Sequence, residues 1–321
     1  LFCYFTFFLF KTLIYFDRKY LVIAFGFLDF STKKNLNLMK NFSDFINNSK
    51  FNNLILPYEG YSWERLILMK SYKLVNKRFG YNFSALVKNQ HSLIRKLNLA
   101  YEPDVIFTPG NYSKNKLKDL SIPIKCLGSN RFYKNNKSKK TKFKKIRCLI
   151  LPEGIISECK KLFSFSIRAA HTFPNIKFVW RLHPSMDFNE ILRKLSLSNK
   201  NSLPKNIIIS KLNFFDDISK SHMAIYRGST SIITALQNEI YPIYLNDNED
   251  INIDPIYEMK KWKLVINDLN ELKKINNIKF IKKIQSSKNK KYAKKFAKNY
   301  FDKINPNVLL SQINKSLHQN I

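Results

Sequence analysis

Apolar residues along this chain come in short runs, and most runs stop abruptly at Gly, Pro or a charged residue. The runs at Leu54–Leu56, 103–110 (PDVIFTPG), 122–129 (IPIKCLGS), 147–154 (RCLILPEG), 176–180 (IKFVW), 206–210 (NIIIS), 224–226 (AIY) and 241–245 (YPIYL) are short, often β-branched and turn-bounded, so each predicts a strand. Between them lie helical stretches: one from about Ser62, then Asn111–Leu120, Ser157–His171, Asn189–Leu197, Phe214–Lys220 and one from Gly228-Ser229 onward. Strands that alternate with helices predict parallel α/β sheets. The run KNNKSKKTKFKK (134–145) holds almost nothing that could enter a core and reads as a linker. It divides the chain into an N-terminal Rossmann-like domain (1–133), a linker (134–146), a second Rossmann-like domain (147–290) and a helical tail (291–321). From Leu269 to about Lys315 the pattern is that of basic amphipathic helices.

Residues 1–30 are the most apolar part, but Lys11 and Asp17-Arg18-Lys19 interrupt them. No run reaches the ~18–20 residues a membrane-spanning helix needs, and no small-residue cleavage site follows. The segment is expected to be buried elements of a first domain truncated at its start, with a membrane-facing surface as the alternative.

A chain of 321 residues, 45% hydrophobic, has material for two cores. Its net charge of +33 comes overwhelmingly from Lys, with only ten Arg, and from a Lys/Asn/Ile bias. Base readout and stacking favour Arg and exposed aromatics, and no nucleic-acid-binding motif is present; the bias also follows from AT-rich coding, and attraction to anionic lipid or an acidic glycan is an equally cheap use of the same field. Cys3, Cys126, Cys148 and Cys159 form no CxxC pair and no metal spacing, which fits reduced thiols in a cytoplasmic protein.

Candidate chemistry gathers where strands end. Arg181 and His183, two apart before Pro184, share one face of a strand and could hold a leaving phosphate. A structural histidine is the alternative. Arg227-Gly228-Ser229-Thr230-Ser231 opens a helix whose free N–H groups and hydroxyls could cradle phosphate, or whose Ser229 or Thr230 could simply be an N-cap. Glu59, beside Gly60, is the candidate general base of the first half, against a solvated or capping carboxylate. Glu153-Gly154 could face the same cleft; Asp216-Asp217 is weak evidence for a metal and reads as capping. The chain has no GxGxxG and no GxxxxGK[ST], which argues against a dinucleotide fold or a P-loop ATPase.

Taken in order, PYEG..WE, QH, PD..FT.G, LPEG...E, RLHP and RGSTS resemble a group of bacterial surface carbohydrate biosynthesis proteins. The motifs Tyr58-Glu59-Gly60, His183-Pro184 and Ser229-Thr230-Ser231 are similar to those of GT-B glycosyltransferases that use CMP-activated sugars, such as sialyltransferases and Kdo transferases. The resemblance covers roughly residues 53–246 and departs from the family at Tyr58, where a second acidic residue is usual. It implies two Rossmann-like domains facing a cleft, with C-terminal helices crossing back. It also implies a metal-independent, cofactor-free transfer from a CMP-sugar, or from a UDP- or GDP-sugar or CDP-glycerol, to a glycan or lipid-linked acceptor. A non-catalytic glycan- or nucleotide-binding protein is the alternative outside the enzymes. In the family reading Glu59 is the base and His183 holds the departing phosphate. Arg181, Arg227, Gly228, Ser229, Thr230, Ser231, Glu153 and Gly154 bind nucleotide, Gly60 and His91 lie on the acceptor side, and the protein works in the cytoplasm or at the inner membrane face.

Overall fold

The computed structural model describes residues 1–49, 51–89, 91–132, 145–197, 199–247 and 251–317. Most of the predicted linker, 133–144, lies outside the described residues; its last residue, Ile146, already opens a strand.

The first domain is a four-stranded parallel sheet of β1 (Asn53–Pro57), β2 (Lys77–Tyr81), β3 (Val105–Thr108) and β4 (Ile124–Cys126), in the order β1-β2-β3-β4. Pro57 faces Tyr81, which faces Phe107. Because the strands follow one another in a single direction, right-handed crossovers place the connecting helices on one face. Helix α4 (Ser62–Ser71) supplies Ile67 and Leu68 there, against Leu56, Tyr58 and Ile106. The opposite face, with Phe79, Val105 and Phe107, is covered from the far end of the chain by Val308, Leu309 and Ile313.

The second domain is a six-stranded parallel sheet of β5 (Ile146–Leu151), β6 (Ile176–Trp180), β7 (Ile207–Ile209), β8 (Met223–Tyr226), β9 (Tyr241–Leu245) and β10 (Leu264–Ile266). Its order is β10-β9-β8-β5-β6-β7. The chain builds outward from β5 to β7, returns to the other side of β5 at β8, and builds outward again. The strand order therefore reverses between β5 and β8, where an open α/β sheet leaves a crevice at the C-terminal strand ends. The central strands are nearly all buried and hydrophobic, as expected of a sheet covered on both faces. Helices α7 (Ile156–Thr172), α8 (Phe188–Lys194), α9 (Phe214–Ser219) and α10 (Ser231–Gln237) connect them. Short α6 (Asn111–Lys116) and α5 (His91–Ile94) belong to the first domain.

After α11 (Leu269–Leu272), α12 (Ile278–Ser286) and α13 (Asn289–Lys298), the backbone crosses to the first domain over 299–305. Gln237 of α10 still donates to the Ala297 carbonyl. Two residues on, Tyr112 N–H donates to the Asn299 carbonyl, Asp302 N–H to Pro109, and Asn305 N–H to Leu127. Asp302 accepts from the Asn111 backbone (3.1 Å) and side chain (2.8 Å). A Cβ on Gly110 would sit 2.3 Å from the Tyr300 carbonyl oxygen, so that close approach needs glycine. Helix α14 (Pro306–Leu317) then covers the first sheet.

One expectation is overturned. Residues 1–30 are not buried elements of the first domain: they form the helices α1 (Phe2–Tyr15) and α2 (Arg18–Gly26), and α3 (Phe30–Asn47), which follows, packs Phe42 against the first-domain core. Helix α1 has no buried residue, and in α2 Ala24 alone is buried. Without a sheet to bury them, the apolar residues form a hairpin of aromatic contacts, including Tyr4–Phe27 and Phe8–Phe27. Among the described residues no helix is long and apolar enough to cross a membrane.

Candidate functional site

Strands β8, β5 and β6 are neighbours, so the residues that leave their C-terminal ends are brought side by side: Arg227-Gly228-Ser229, Pro152-Glu153-Gly154 and Arg181-Leu182-His183. A cavity of about 360 Å³ opens there, lined by Arg181, His183, Ser229, Thr230, Ser231 and Arg131. His183 packs over Gly154, where a Cβ would meet the imidazole at 3.1 Å. Its Nδ1 lies 2.7 Å from the Ser185 hydroxyl, which leaves Nε2 as the nitrogen for a ligand. Arg181 is held by Asp217 (3.0 Å) and the Leu212 carbonyl (2.9 Å), with its guanidinium over the Phe214 ring. Asp217 is buried and also accepts from Ser210, while Asn213 caps α9. Asp217 thus aims an arginine while Asp216 bonds to the capping Asn213, and no group of three or more metal-ligating side chains occurs among the described residues.

The Ser/Thr run is more occupied than its sequence suggests. Gly228 N–H donates to Glu153 Oε1 at 3.2 Å, and a Cβ on Gly228 would strike Glu153 Oε2. A carboxylate of the protein therefore already caps this strand end. Burial pushes the Glu153 carboxyl above the ordinary carboxylate range, the charge of Glu158 adds to that, and the Gly228 N–H and Arg227 oppose it. Ser229 and Ser231 share a hydrogen bond at 2.7 Å. Arg227 does not line this cavity: it is buried, bonded to Glu158 and the Leu245 carbonyl, and it borders a separate cavity of about 710 Å³ with Lys161, Arg168 and Asn246.

Arg131 is the residue that sequence reasoning missed on this side. It follows the first sheet yet donates to Thr230 Oγ1 of the second domain at 3.1 Å. Nothing in its local sequence marks it beyond its being one of ten arginines among many lysines.

In the first domain, strand alternation separates Tyr58 from Glu59. Tyr58 is buried and donates to Glu102 at 2.6 Å, inside a network in which Arg65 pairs with the same carboxylate. It faces the core, so it does not stand in for a second acid beside Glu59. Gly60 holds the turn at φ +80°, and a Cβ there would lie 2.3 Å from the Ser92 carbonyl oxygen. Glu64 accepts from the N–H groups of Glu59 (2.8 Å) and Tyr61 (2.9 Å), which fixes the loop. Glu59 itself is buried, and its Oε1 has no hydrogen-bond partner. The same is true of both side-chain polar atoms of Asn82, which is fully buried. Asn82 directly follows β2, between the ends of β1 and β3, and its N–H donates to the Phe107 carbonyl. One unpaired carboxylate oxygen and one unpaired amide thus follow neighbouring strands at one sheet edge. The backbone of His91 opens α5; its side chain lies outside the described residues.

No family model and no curated protein sequence matches this chain. Among solved structures it is similar to S. aureus MnaA in a co-structure with UDP (14% identity, TM-score 0.53, covering 88% of this chain and 79% of that one). A UDP-GlcNAc 2-epimerase from Neisseria meningitidis bound to UDP-GlcNAc is alike at 14% identity and TM-score 0.54, covering 88% and 81%. Acinetobacter baumannii MurG is alike at 9% identity and TM-score 0.54, covering 88% and 80%. These likenesses define the class: the chain has the GT-B fold, two parallel α/β domains with the C-terminal helices returning to the first.

Proposed function

We propose that this is a sugar-nucleotide-dependent glycosyltransferase whose second domain holds the donor and whose first domain (within 1–133) presents the acceptor. The observation that carries the reading is the cavity at the β5/β8 reversal, where Arg181, His183 and Arg131 converge with the Ser229–Ser231 hydroxyls. Two guanidiniums and an imidazole there can donate to phosphate oxygens and spread the charge that develops on the leaving nucleotide. Glu59 takes the proton of an acceptor hydroxyl as its oxygen bonds to the anomeric carbon. The bond from that carbon to the phosphate oxygen breaks, and the electron pair leaves with the nucleotide. The acceptor is a glycan or lipid-linked glycan, and the work is done on the cytoplasmic side of a membrane.

Two donors compete. The order of the Glu59-Gly60, His183-Pro184 and Ser229–Ser231 motifs favours a CMP-sugar. A UDP-sugar is favoured by the UDP-bound S. aureus and N. meningitidis structures. A thermal-shift panel of CMP, CDP, UDP and GDP separates them. CMP is expected to raise Tm in the wild type and not in His183→Ala. Stabilisation by UDP alone assigns the donor to the second class, and a flat response to all four removes the nucleotide reading. If UDP stabilises, proton NMR of UDP-GlcNAc with the protein distinguishes transfer from 2-epimerisation.

A further inference from the structure

The α1–α2 hairpin turns apolar side chains outward as well as inward. Its inner seam is already filled by aromatic pairs: Phe5 with Phe25, and Phe8 with Tyr20 and Phe27. A hairpin built only to pack would place polar residues on the other side. Instead Phe7, Phe10, Leu13 and Ile14 are 52–66% exposed on α1, and Val22 and Ile23 are exposed on α2. Exposed apolar side chains gathered on one element in this way mark an interaction surface.

The charges on this element have one sign of consequence. Asp17 is paired with Lys19 at 2.6 Å and caps α2. Lys11 lies 4.7 Å above the Phe7 ring, so its stem crosses the apolar face and its ammonium can rise to the rim. Arg18 and Lys19 mark the turn, and no glutamate precedes Glu59 in the chain. Helix α1 (14 residues) turns its apolar side chains outward, as a helix does that lies in a bilayer surface.

We propose that the α1–α2 hairpin docks the protein on an anionic bilayer, with the aromatic face of α1 in the headgroup–acyl boundary and the cations among the lipid phosphates. This stands apart from the reading of the cleft. The test is co-sedimentation of the full chain with vesicles of phosphatidylcholine alone and of phosphatidylcholine mixed with phosphatidylglycerol. The wild type is expected to pellet with the mixed vesicles. The F7S/F10S/L13S variant changes only exposed positions, so it is expected to keep its Tm and lose at least about tenfold in partitioning. Lys11→Glu is expected to weaken binding to mixed vesicles and leave binding to neutral ones unchanged. Equal pelleting of the triple variant would mean simple adsorption by the basic surface and would overturn the proposal. So would failure of the wild type to pellet, or a dimer in sedimentation velocity that the triple variant converts to a monomer without any lipid binding.

Discussion

Asn82 carries two hydrogen-bonding groups into a fully buried position and pairs neither. Such groups cost about 1–3 kcal/mol each, and replacing them by an apolar group of similar shape can be neutral or stabilising. Asn82→Leu is therefore expected to hold or raise Tm in a thermal melt. A large drop in Tm would show instead that the amide supports the fold. Glu153 makes a second case. Its folded-state pKa is raised, so its favourable contribution is complete below the ordinary carboxylate pKa and is lost as pH rises through the folded value. Glu153→Gln, whose amide oxygen can still accept from Gly228, is expected to stabilise at neutral pH. That gain should vanish in acid, where both states of the wild type are protonated; thermal melts across pH measure it. Glu59, Arg181 and His183 were legible as candidates because each ends a recognisable strand. Asn82 was not, since β2 was itself unrecognised, and Arg131 reaches its cavity only through the tertiary fold.

Among elements, β2 shows why a strand can escape a hydrophobic pattern. Its sequence, KRFGY, carries charge and a glycine where apolar alternation is expected. Arg78 is nonetheless buried, with its guanidinium bonded to Asp104 and to the carbonyls of Leu68, Leu99 and Ala100. Gly80 is required because a Cβ would sit 2.7 Å from that of Tyr58. Both features make sense only once β1 and β3 flank the strand. The N-terminal helices misled in the opposite direction, since apolar density predicts burial only where a partner surface exists. At the crossing segment, Asp302 ties Asn111 and Cys126 to the returning chain. Asp302→Ala is expected to cost about 1–3 kcal/mol, the range for losing bonds to a charged acceptor, as a lowered midpoint in urea unfolding.

At the scale of the molecule, strand–helix alternation made the two α/β sheets legible and the family resemblance implied the returning helices, while the order in which the strands pair was not legible. The second sheet's reversal at β5/β8 is a matter of topology, and it alone explains why residues as distant as Glu153, His183 and Ser229 meet. The cover of the first sheet has a further consequence, which concerns time rather than space. Phe79, Val105 and Phe107 receive their lid from residues synthesised about two hundred positions later, after the whole second sheet. During translation the second domain can therefore close its core while the first still shows one bare face of its sheet. The domain that emerges first from the ribosome is the one completed last, and for that interval it is the natural client of a chaperone.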